Sequence, residues 1–105
     1  MKKFFIQITD HNSKKLQDYD SILTDFYADW CAPCKQMSRT LSQVQLSKQV
    51  SMLKINIDLE PEIPTQFKIM SIPTLILFKK GHETSRLVGQ ATDVVAITEW
   101  LEKII

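Results

Sequence analysis

The sequence predicts an α/β fold in which a central mixed five-stranded sheet is flanked by about four helices. Short apolar runs alternate with helical patterns along most of the chain, and a turn joins the last two strands before a closing amphipathic helix. Strands that alternate with helices favour parallel pairing and a sheet covered by helices. The hairpin adds an antiparallel pair, so the sheet is expected to be mixed.

Length and composition indicate one globular domain, which we place over residues 1–105. A chain of 105 residues is long enough to bury a single core. With 44% hydrophobic residues, 24% charged residues and a formal net charge of +1, the chain does not have the composition of a disordered protein. The small net charge also provides no general attraction to nucleic acid or to an anionic membrane.

The first element is a predicted strand over residues 4–9, which follows two lysines. A secretory signal needs about 7–15 apolar residues and a cleavage site with small residues, and this segment has neither. No stretch approaches the roughly 20 apolar residues of a membrane span. We therefore expect an opening strand and a cytoplasmic protein.

A weak helix and a buried strand come next. Residues 12–19 have a helical pattern, with Asp10 or Asn12 available as the N-cap. Residues 22–28 are apolar and aromatic, which is typical of a strand covered on both faces.

The apolar residues recur with two different periods in the next two segments, residues 31–46 and 52–58. In the first segment apolar residues recur at helical spacing, which predicts an amphipathic helix: Met37, Leu41 and Val44. The second segment alternates as a strand does. Its apolar face carries Leu53, Ile55 and Ile57, and its polar face carries Lys54, Asn56 and Asp58.

The remaining elements are short. A brief helix is expected over residues 62–67, because Pro64 is tolerated only in a first turn. Residues 74–79 form a buried strand, and the turn at residues 80–82 leads into a last strand over residues 85–88.

The chain ends in a predicted helix over residues 93–105, with Thr92 or Asp93 as its cap. One stripe of this helix is apolar and should face the core: Ile97, Trp100, Leu101 and Ile104.

The two cysteines, Cys31 and Cys34, are the strongest chemical signal. A disulfide over so short a loop would stabilise the fold little, and in a cytosolic context such a pair is typically catalytic or metal-binding. Zinc would need two further ligands, and His11 and His82 stand alone in the sequence. Redox chemistry is therefore favoured over a metal site.

The position of the pair supports that preference. Residues 30–35 (WCAPCK) lie where the buried strand ends and the amphipathic helix begins. The unpaired N–H groups and positive dipole end of a helix N-terminus stabilise a thiolate at Cys31 and lower its pKa. Cys34 is one turn further in and less exposed, and Pro33 suits the first turn.

Asp25 interrupts an otherwise apolar strand, and two interpretations are open. It is either a polar residue at an irregular strand position or a buried carboxylate whose pKa is raised by desolvation. A carboxylate of the second kind serves as a general acid or base. Lys54 is on the polar face of a strand that is expected to lie nearby. An ordinary lysine that faces solvent would show the same sequence pattern.

Four segments together resemble the thioredoxin family over essentially the whole chain: residues 25–35 (DFYADWCAPCK), 54–58 (KINID), 71–74 (SIPT) and 88–89 (VG). The resemblance implies a thioredoxin fold and a thiol–disulfide oxidoreductase that reduces disulfides in target proteins. It implies that Cys31 is the nucleophile, Cys34 the resolving cysteine and Asp25 a buried acid/base, with Lys54 close enough to modulate Asp25.

The resemblance also implies a substrate groove. A cis peptide bond before Pro73 would present the backbone of Ile72 beside Cys31, where it pairs with an extended target strand. Val88, Gly89 and Gln90 form one wall, and Trp30, Ala32 and Pro33 complete the groove with Ile72 and Pro73. From the residues alone, Gly89 is equally consistent with a bulge and Trp30 with a core aromatic residue.

The sequence departs from the common family pattern at four positions. Ala32 replaces a glycine between the cysteines, and Arg39 replaces a proline that kinks the helix. Tyr27 replaces a tryptophan, and Gln90 is larger than the small residue that often follows the groove glycine in the family. We expect these changes to shift the redox potential modestly and to narrow substrate choice.

No bound cofactor or metal is expected, and the resemblance implies that electrons come from NADPH through a thioredoxin reductase. The expected partners are that reductase and disulfide-containing target proteins, with no nucleic acid or membrane, and the protein is expected to be a monomer. The alternatives are a non-catalytic interaction module, a metal-binding domain, and, among redox enzymes, an oxidase or isomerase.

Overall fold

The computed structural model describes residues 3–5, 13–89 and 93–105. Its strands are β1 (Lys3–Phe5), β2 (Ser21–Tyr27), β3 (Val50–Asn56), β4 (Thr74–Lys79) and β5 (His82–Val88). Its helices are a 3₁₀ helix (Ser13–Asp18), α1 (Ala32–Ser42), α2 (Glu62–Gln66) and α3 (Val94–Ile104).

The five strands form one sheet in the order β1-β3-β2-β4-β5. β3 pairs in parallel with both β1 and β2, whereas β4 pairs antiparallel with β2 and β5. The predicted mixed five-stranded sheet is thus confirmed. The four predicted helices correspond to three α-helices and one 3₁₀ helix within the described part of the chain.

Both faces of the sheet are covered, because alternate residues of each strand point to opposite sides. Leu23 of β2 packs with Met37 of α1 and Ile97 of α3 in one core cluster. Its neighbour Ile22 packs on the opposite face with Leu16 of the 3₁₀ helix and Ile63 of α2. The protein is therefore a three-layer α/β/α structure with β2 near the middle of the sheet.

The same alternation directs two polar residues toward α1. Asp25 lies two residues after Leu23, and Lys54 lies two residues after Met52, whose side chain belongs to the α1–α3 cluster. Asp25 and Lys54 are also register partners across β2 and β3. The sheet thus places a carboxyl group and an ammonium group side by side beneath α1.

The last hairpin has a tighter turn than predicted. Only Lys80 and Gly81 separate the strands, both with positive φ (53° and 82°), and Lys79 pairs directly with His82. Such a two-residue turn follows the twist of the flanking strands. The predicted start of the last strand at residue 85 is therefore wrong, because pairing begins at His82.

The helix predicted over residues 31–46 is also too long at its C-terminal end. α1 ends at Ser42, while Val44 and Leu46 are buried in the core from an irregular segment. Apolar spacing alone does not distinguish these two situations. The neighbouring strand, predicted over residues 52–58, runs instead from Val50 to Asn56.

The closing helix matches its prediction closely. Asp93 is the N-cap of α3, and its carboxylate accepts a hydrogen bond from the backbone N–H of Ala96 at 2.8 Å. Ile97 and Leu101 are buried beneath the helix. Several predicted features lie outside the described residues: residues 6–9 of the first strand, the caps Asp10, Asn12 and Thr92, His11, and the groove residue Gln90.

Candidate active site

The two cysteines lie at the N-terminus of α1, as predicted, and are joined by a disulfide. Cys31 is the N-cap residue, with extended backbone angles, and its sulfur accepts a hydrogen bond from the backbone N–H of Cys34 at 3.2 Å. Pro33 occupies the first turn, where no N–H donor is needed. The backbone N–H of Cys34 in this turn therefore points toward the sulfur that is expected to carry negative charge.

Both sulfurs are sheltered in the oxidised protein. Cys31 is 4% exposed and Cys34 is 2% exposed. The two residues nevertheless face different surfaces: Cys31 lines an open groove, and Cys34 lines a separate cavity on the other side. Only Cys31 is thus positioned to meet a ligand in the groove.

Asp25 is fully buried, at 0% exposure, on the face of β2 beneath α1. Neither of its carboxylate oxygens has a hydrogen-bond partner among the described residues. Burial raises the pKa of Asp25 from 3.8 to about 6, against an opposing effect of the positive charge on Lys54. The chain therefore contains a carboxyl group that changes protonation close to neutral pH.

Lys54 is half-buried and does not point freely into solvent. Its Nζ donates a hydrogen bond to Ser38 Oγ at 3.0 Å and lies 4.6 Å from the centre of the Tyr27 ring. Two contacts thus hold the ammonium group in one place beside the strand that carries Asp25.

The loop opposite the disulfide carries a cis peptide bond between Ile72 and Pro73, as the resemblance implied. The backbone O of Pro73 accepts a hydrogen bond from the N–H of Gly89 at 3.0 Å. Gly89 has a φ of 106°, a conformation that favours glycine. This bond joins the loop to the end of β5.

An open groove of about 510 Å³ runs beside Cys31. Four of the residues predicted for substrate binding line it: Trp30, Ala32, Pro33 and Ile72. Pro73 is buried, Val88 is exposed at the end of β5, and neither these two residues nor Gly89 line the groove. We call this feature the apolar groove.

Sequence reasoning missed half of the apolar groove: Ile57, Pro64, Ile69, Met70 and Ser71 also line it. These residues come from the turn after β3, from α2 and from the segment that follows α2. Met70 is 92% exposed, although it is apolar. Its position two residues before Ile72, in the same loop, was the one local signal that could have identified it.

Trp30 stands at the rim of the apolar groove, 70% exposed, so it is not a core aromatic residue. Its indole Nε1–H donates a hydrogen bond to Asp58 Oδ2 at 3.0 Å. The backbone N–H of Asp58 in turn donates to Asn56 Oδ1 at 3.0 Å. An exposed ring is thereby held in one orientation next to Cys31.

Features typical of two other kinds of site do not occur among the described residues. These residues contain no group of three or more histidine, cysteine, aspartate or glutamate side chains that could hold a metal ion. None of their helices is long and apolar enough to cross a membrane.

Comparisons with known proteins agree with this geometry. The thioredoxin family model matches residues 4–103. A thioredoxin from Rickettsia felis is 36% identical over 102 residues, which is 93% of this chain and 96% of the relative. A bifunctional thioredoxin reductase/thioredoxin from Mycobacterium leprae is 35% identical over 88 residues, covering 80% of this chain and 19% of that protein. The solved structure of a mutant thioredoxin from Halobacterium salinarum superimposes with a TM-score of 0.80 at 26% identity, covering 98% of this chain and 90% of the other.

Proposed function

The chain belongs to the thioredoxin family and is a thiol–disulfide oxidoreductase, and we propose that Cys31 attacks target disulfides while Cys34 resolves the product. The observation that carries this assignment of roles is the placement of the pair. Cys31 caps α1 and lines the apolar groove, whereas Cys34 lies in the first turn and does not line the groove.

In the first step, the Cys31 thiolate of the reduced protein attacks one sulfur of a target disulfide. A bond forms between Cys31 Sγ and that sulfur, and the other target sulfur leaves as a thiolate. The N–H groups and dipole at the start of α1 stabilise the attacking thiolate relative to the thiol.

In the second step, Cys34 loses its proton and attacks Cys31 Sγ. The Cys31–Cys34 disulfide forms, and the second target sulfur leaves as a thiolate, so that two electrons have passed to the target. We propose that Asp25 accepts the Cys34 proton, since a pKa of about 6 leaves the carboxylate mostly ionised at neutral pH yet basic enough to bind a proton.

Lys54 modulates this proton transfer in our proposal. Its ammonium group is held by Ser38 and Tyr27 and lowers the pKa of Asp25, which burial alone would raise further. The pair thus keeps the pKa of the acid/base group, Asp25, close to neutral pH.

Target recognition is proposed to combine backbone pairing with apolar contacts. Ile72 has no backbone hydrogen bond to another described residue, which leaves its N–H and C=O available to an extended target strand. The exposed ring of Trp30 supplies apolar contact area in the groove. The remaining proposed substrate contacts are Ala32, Pro33, Pro73, Val88, Gly89 and Gln90.

The electron source belongs to the proposal as well. We infer that NADPH, acting through a thioredoxin reductase, regenerates the dithiol, and that the protein itself binds no cofactor. Support comes from the Mycobacterium leprae relative, whose name joins a thioredoxin reductase to a thioredoxin. We further propose a cytoplasmic monomer, one domain over residues 1–105, with disulfide-containing proteins as targets.

The reduction potential of the Cys31/Cys34 couple, measured by equilibration with glutathione buffers, tests the proposed direction of transfer. A potential at or below the cytosolic poise of roughly −220 to −260 mV supports a disulfide reductant. A potential near about −180 mV or higher would instead indicate an oxidase or isomerase. The double variant Cys31→Ser, Cys34→Ser is the matched control, and retention of full biological activity by it would indicate an interaction module.

A further inference from the structure

A second cavity, of about 470 Å³ and as open to solvent as the apolar groove, lies beside α1 and shares no lining residue with that groove. Lys35, Ser38 and Arg39 line it from one face of α1, and Lys54 lines it from β3. Asp29 is the one carboxylate among its lining residues. We call it the basic cavity, because three cationic side chains surround it.

Asp25, the buried register partner of Lys54, opposes the charge of Lys54, but Lys35 and Arg39 make no side-chain ion pair among the described residues. Two side-chain ion pairs occur among the described residues, Lys80 with Asp20 and Arg86 with Glu83, and neither involves the basic cavity. Lys35 and Arg39 are four residues apart on α1, a spacing at which like charges destabilise a helix. Folding stability therefore does not explain why the two cations share one face.

Lys54 distinguishes the cavity from an ordinary solvated helix face. Its ammonium group is half-buried and held by Ser38 Oγ at 3.0 Å and by the Tyr27 ring at 4.6 Å. Because Ser38 Oγ accepts this bond, the hydroxyl proton of Ser38 remains available to a ligand. The cavity wall thus contains one cation and one hydroxyl donor that are already in fixed positions.

The donors fit a group with several oxygens and more than one negative charge. The guanidinium of Arg39 presents a planar fork that binds two oxygens of a phosphate or carboxylate, and Lys35 and Lys54 add two point charges. The three cations exceed the one lining carboxylate, Asp29, by two charges, which is more than a single carboxylate ligand would balance. A phosphate monoester carries about 1.5 to 2 negative charges at pH 7.

We propose that the basic cavity binds a phosphate group, either free phosphate or the phosphate of a small phosphorylated molecule. The volume of about 470 Å³ is within the roughly 300–1,000 Å³ typical of small-molecule sites, so there is room for more than the phosphate itself. Since Cys34 also lines this cavity, a bound phosphate lies next to the redox pair without occupying the apolar groove.

The test is a titration of the full oxidised chain with sodium phosphate at pH 7.5, at ionic strength held constant with sodium chloride, followed by calorimetry. The parent is expected to bind one phosphate saturably. Arg39→Gln and Lys35→Gln are each expected to weaken binding about tenfold, as for loss of a charge-assisted hydrogen bond. Lys103→Gln, which makes the same charge change on α3 outside the cavity, should bind like the parent, and circular dichroism checks that each variant is folded.

Adenosine monophosphate distinguishes the two sources of the phosphate group. Binding at least tenfold tighter than inorganic phosphate identifies a phosphorylated small molecule, and equal binding identifies free phosphate. The proposal is overturned if neither compound binds saturably. It is equally overturned if Arg39→Gln binds as well as the parent, or if Lys103→Gln weakens binding as much as Arg39→Gln does.

Discussion

Asp25 and Lys54 are register partners in adjacent parallel strands, and yet the Asp25 carboxylate has no hydrogen-bond partner among the described residues. Lys54 donates instead to Ser38 Oγ at 3.0 Å. The ammonium group therefore acts on Asp25 through its charge alone, and it partly offsets the effect of burial, so that the pKa of Asp25 is about 6. This arrangement keeps Asp25 ionisable near neutral pH.

The first prediction concerns stability. A carboxyl group whose pKa is raised in the folded state stabilises the fold fully below its unfolded pKa, and the contribution is lost as the pH rises through the folded pKa. For a shift from 3.8 to about 6, the parent should lose about 3 kcal/mol of unfolding free energy between pH 3 and pH 8 relative to Asp25→Asn. Urea unfolding of the oxidised proteins, in which neither cysteine titrates, measures the difference.

Asp29→Asn is the matched control for this measurement, because Asp29 is an exposed aspartate in the loop after β2. Its unfolding free energy should follow that of the parent across the pH range. If Asp25→Asn also followed the parent, Asp25 would not be a buried group with a raised pKa.

The second prediction concerns the pH dependence of exchange. Lys54→Gln removes the charge that lowers the pKa of Asp25, so the pKa should rise above about 6. The rate of target reduction should then rise with pH over a higher range than in the parent, whereas Lys103→Gln should leave the pH profile of the rate unchanged.

In the Asp25→Ala variant, exchange should be slower than in the parent near neutral pH. A parental rate there would reduce Asp25 to a structural residue.

The third prediction concerns the orientation of Trp30. Asp58→Ala removes the acceptor of the indole hydrogen bond, which has a length of 3.0 Å. Loss of one exposed hydrogen bond of about 1 kcal/mol should raise KM for a protein disulfide roughly fivefold and leave the reduction potential unchanged. Trp30→Phe, which keeps an aromatic ring without the N–H, should resemble Asp58→Ala in steady-state kinetics. A parental KM in both variants would show that the bond does not orient Trp30 for binding.

The fourth prediction concerns the cap of α3. Asp93→Ala should lower the unfolding free energy by about 1 kcal/mol, because the backbone N–H of Ala96 loses its side-chain acceptor. Asp93→Asn retains an acceptor oxygen and should cost much less. Thermal or urea unfolding at neutral pH compares the two, and equal losses would mean that the cap contributes nothing specific.

Local features of the sequence predicted the structure well where one segment contains the whole signal. Asp93 with the apolar stripe after it predicted α3, and the turn at Gly81 predicted the hairpin. The predicted C-terminal end of α1 was wrong because Val44 and Leu46 reach the same core from an irregular segment. Their burial is decided by the sheet and by α3, which no local pattern describes.

The site was predicted unevenly for the same reason. The cysteines and Asp25 belong to one continuous segment, residues 25–35, in which a strand leads directly into a helix. The cis bond before Pro73 followed only from the family resemblance, since most such bonds are trans. Ile57, Pro64 and Met70 belong to three separate parts of the chain, and only the folded arrangement brings them to the apolar groove.

Trapping of the mixed disulfide tests the central claim most directly. Cys34→Ser and Cys31→Ser would each be reduced, mixed with a disulfide-containing protein and analysed by non-reducing electrophoresis and mass spectrometry. The account predicts that Cys34→Ser accumulates a mixed disulfide through Cys31, because the resolving thiol is missing, and that Cys31→Ser accumulates little. Turnover by Cys34→Ser at the parental rate, or a stronger trap in Cys31→Ser, would contradict the assigned roles.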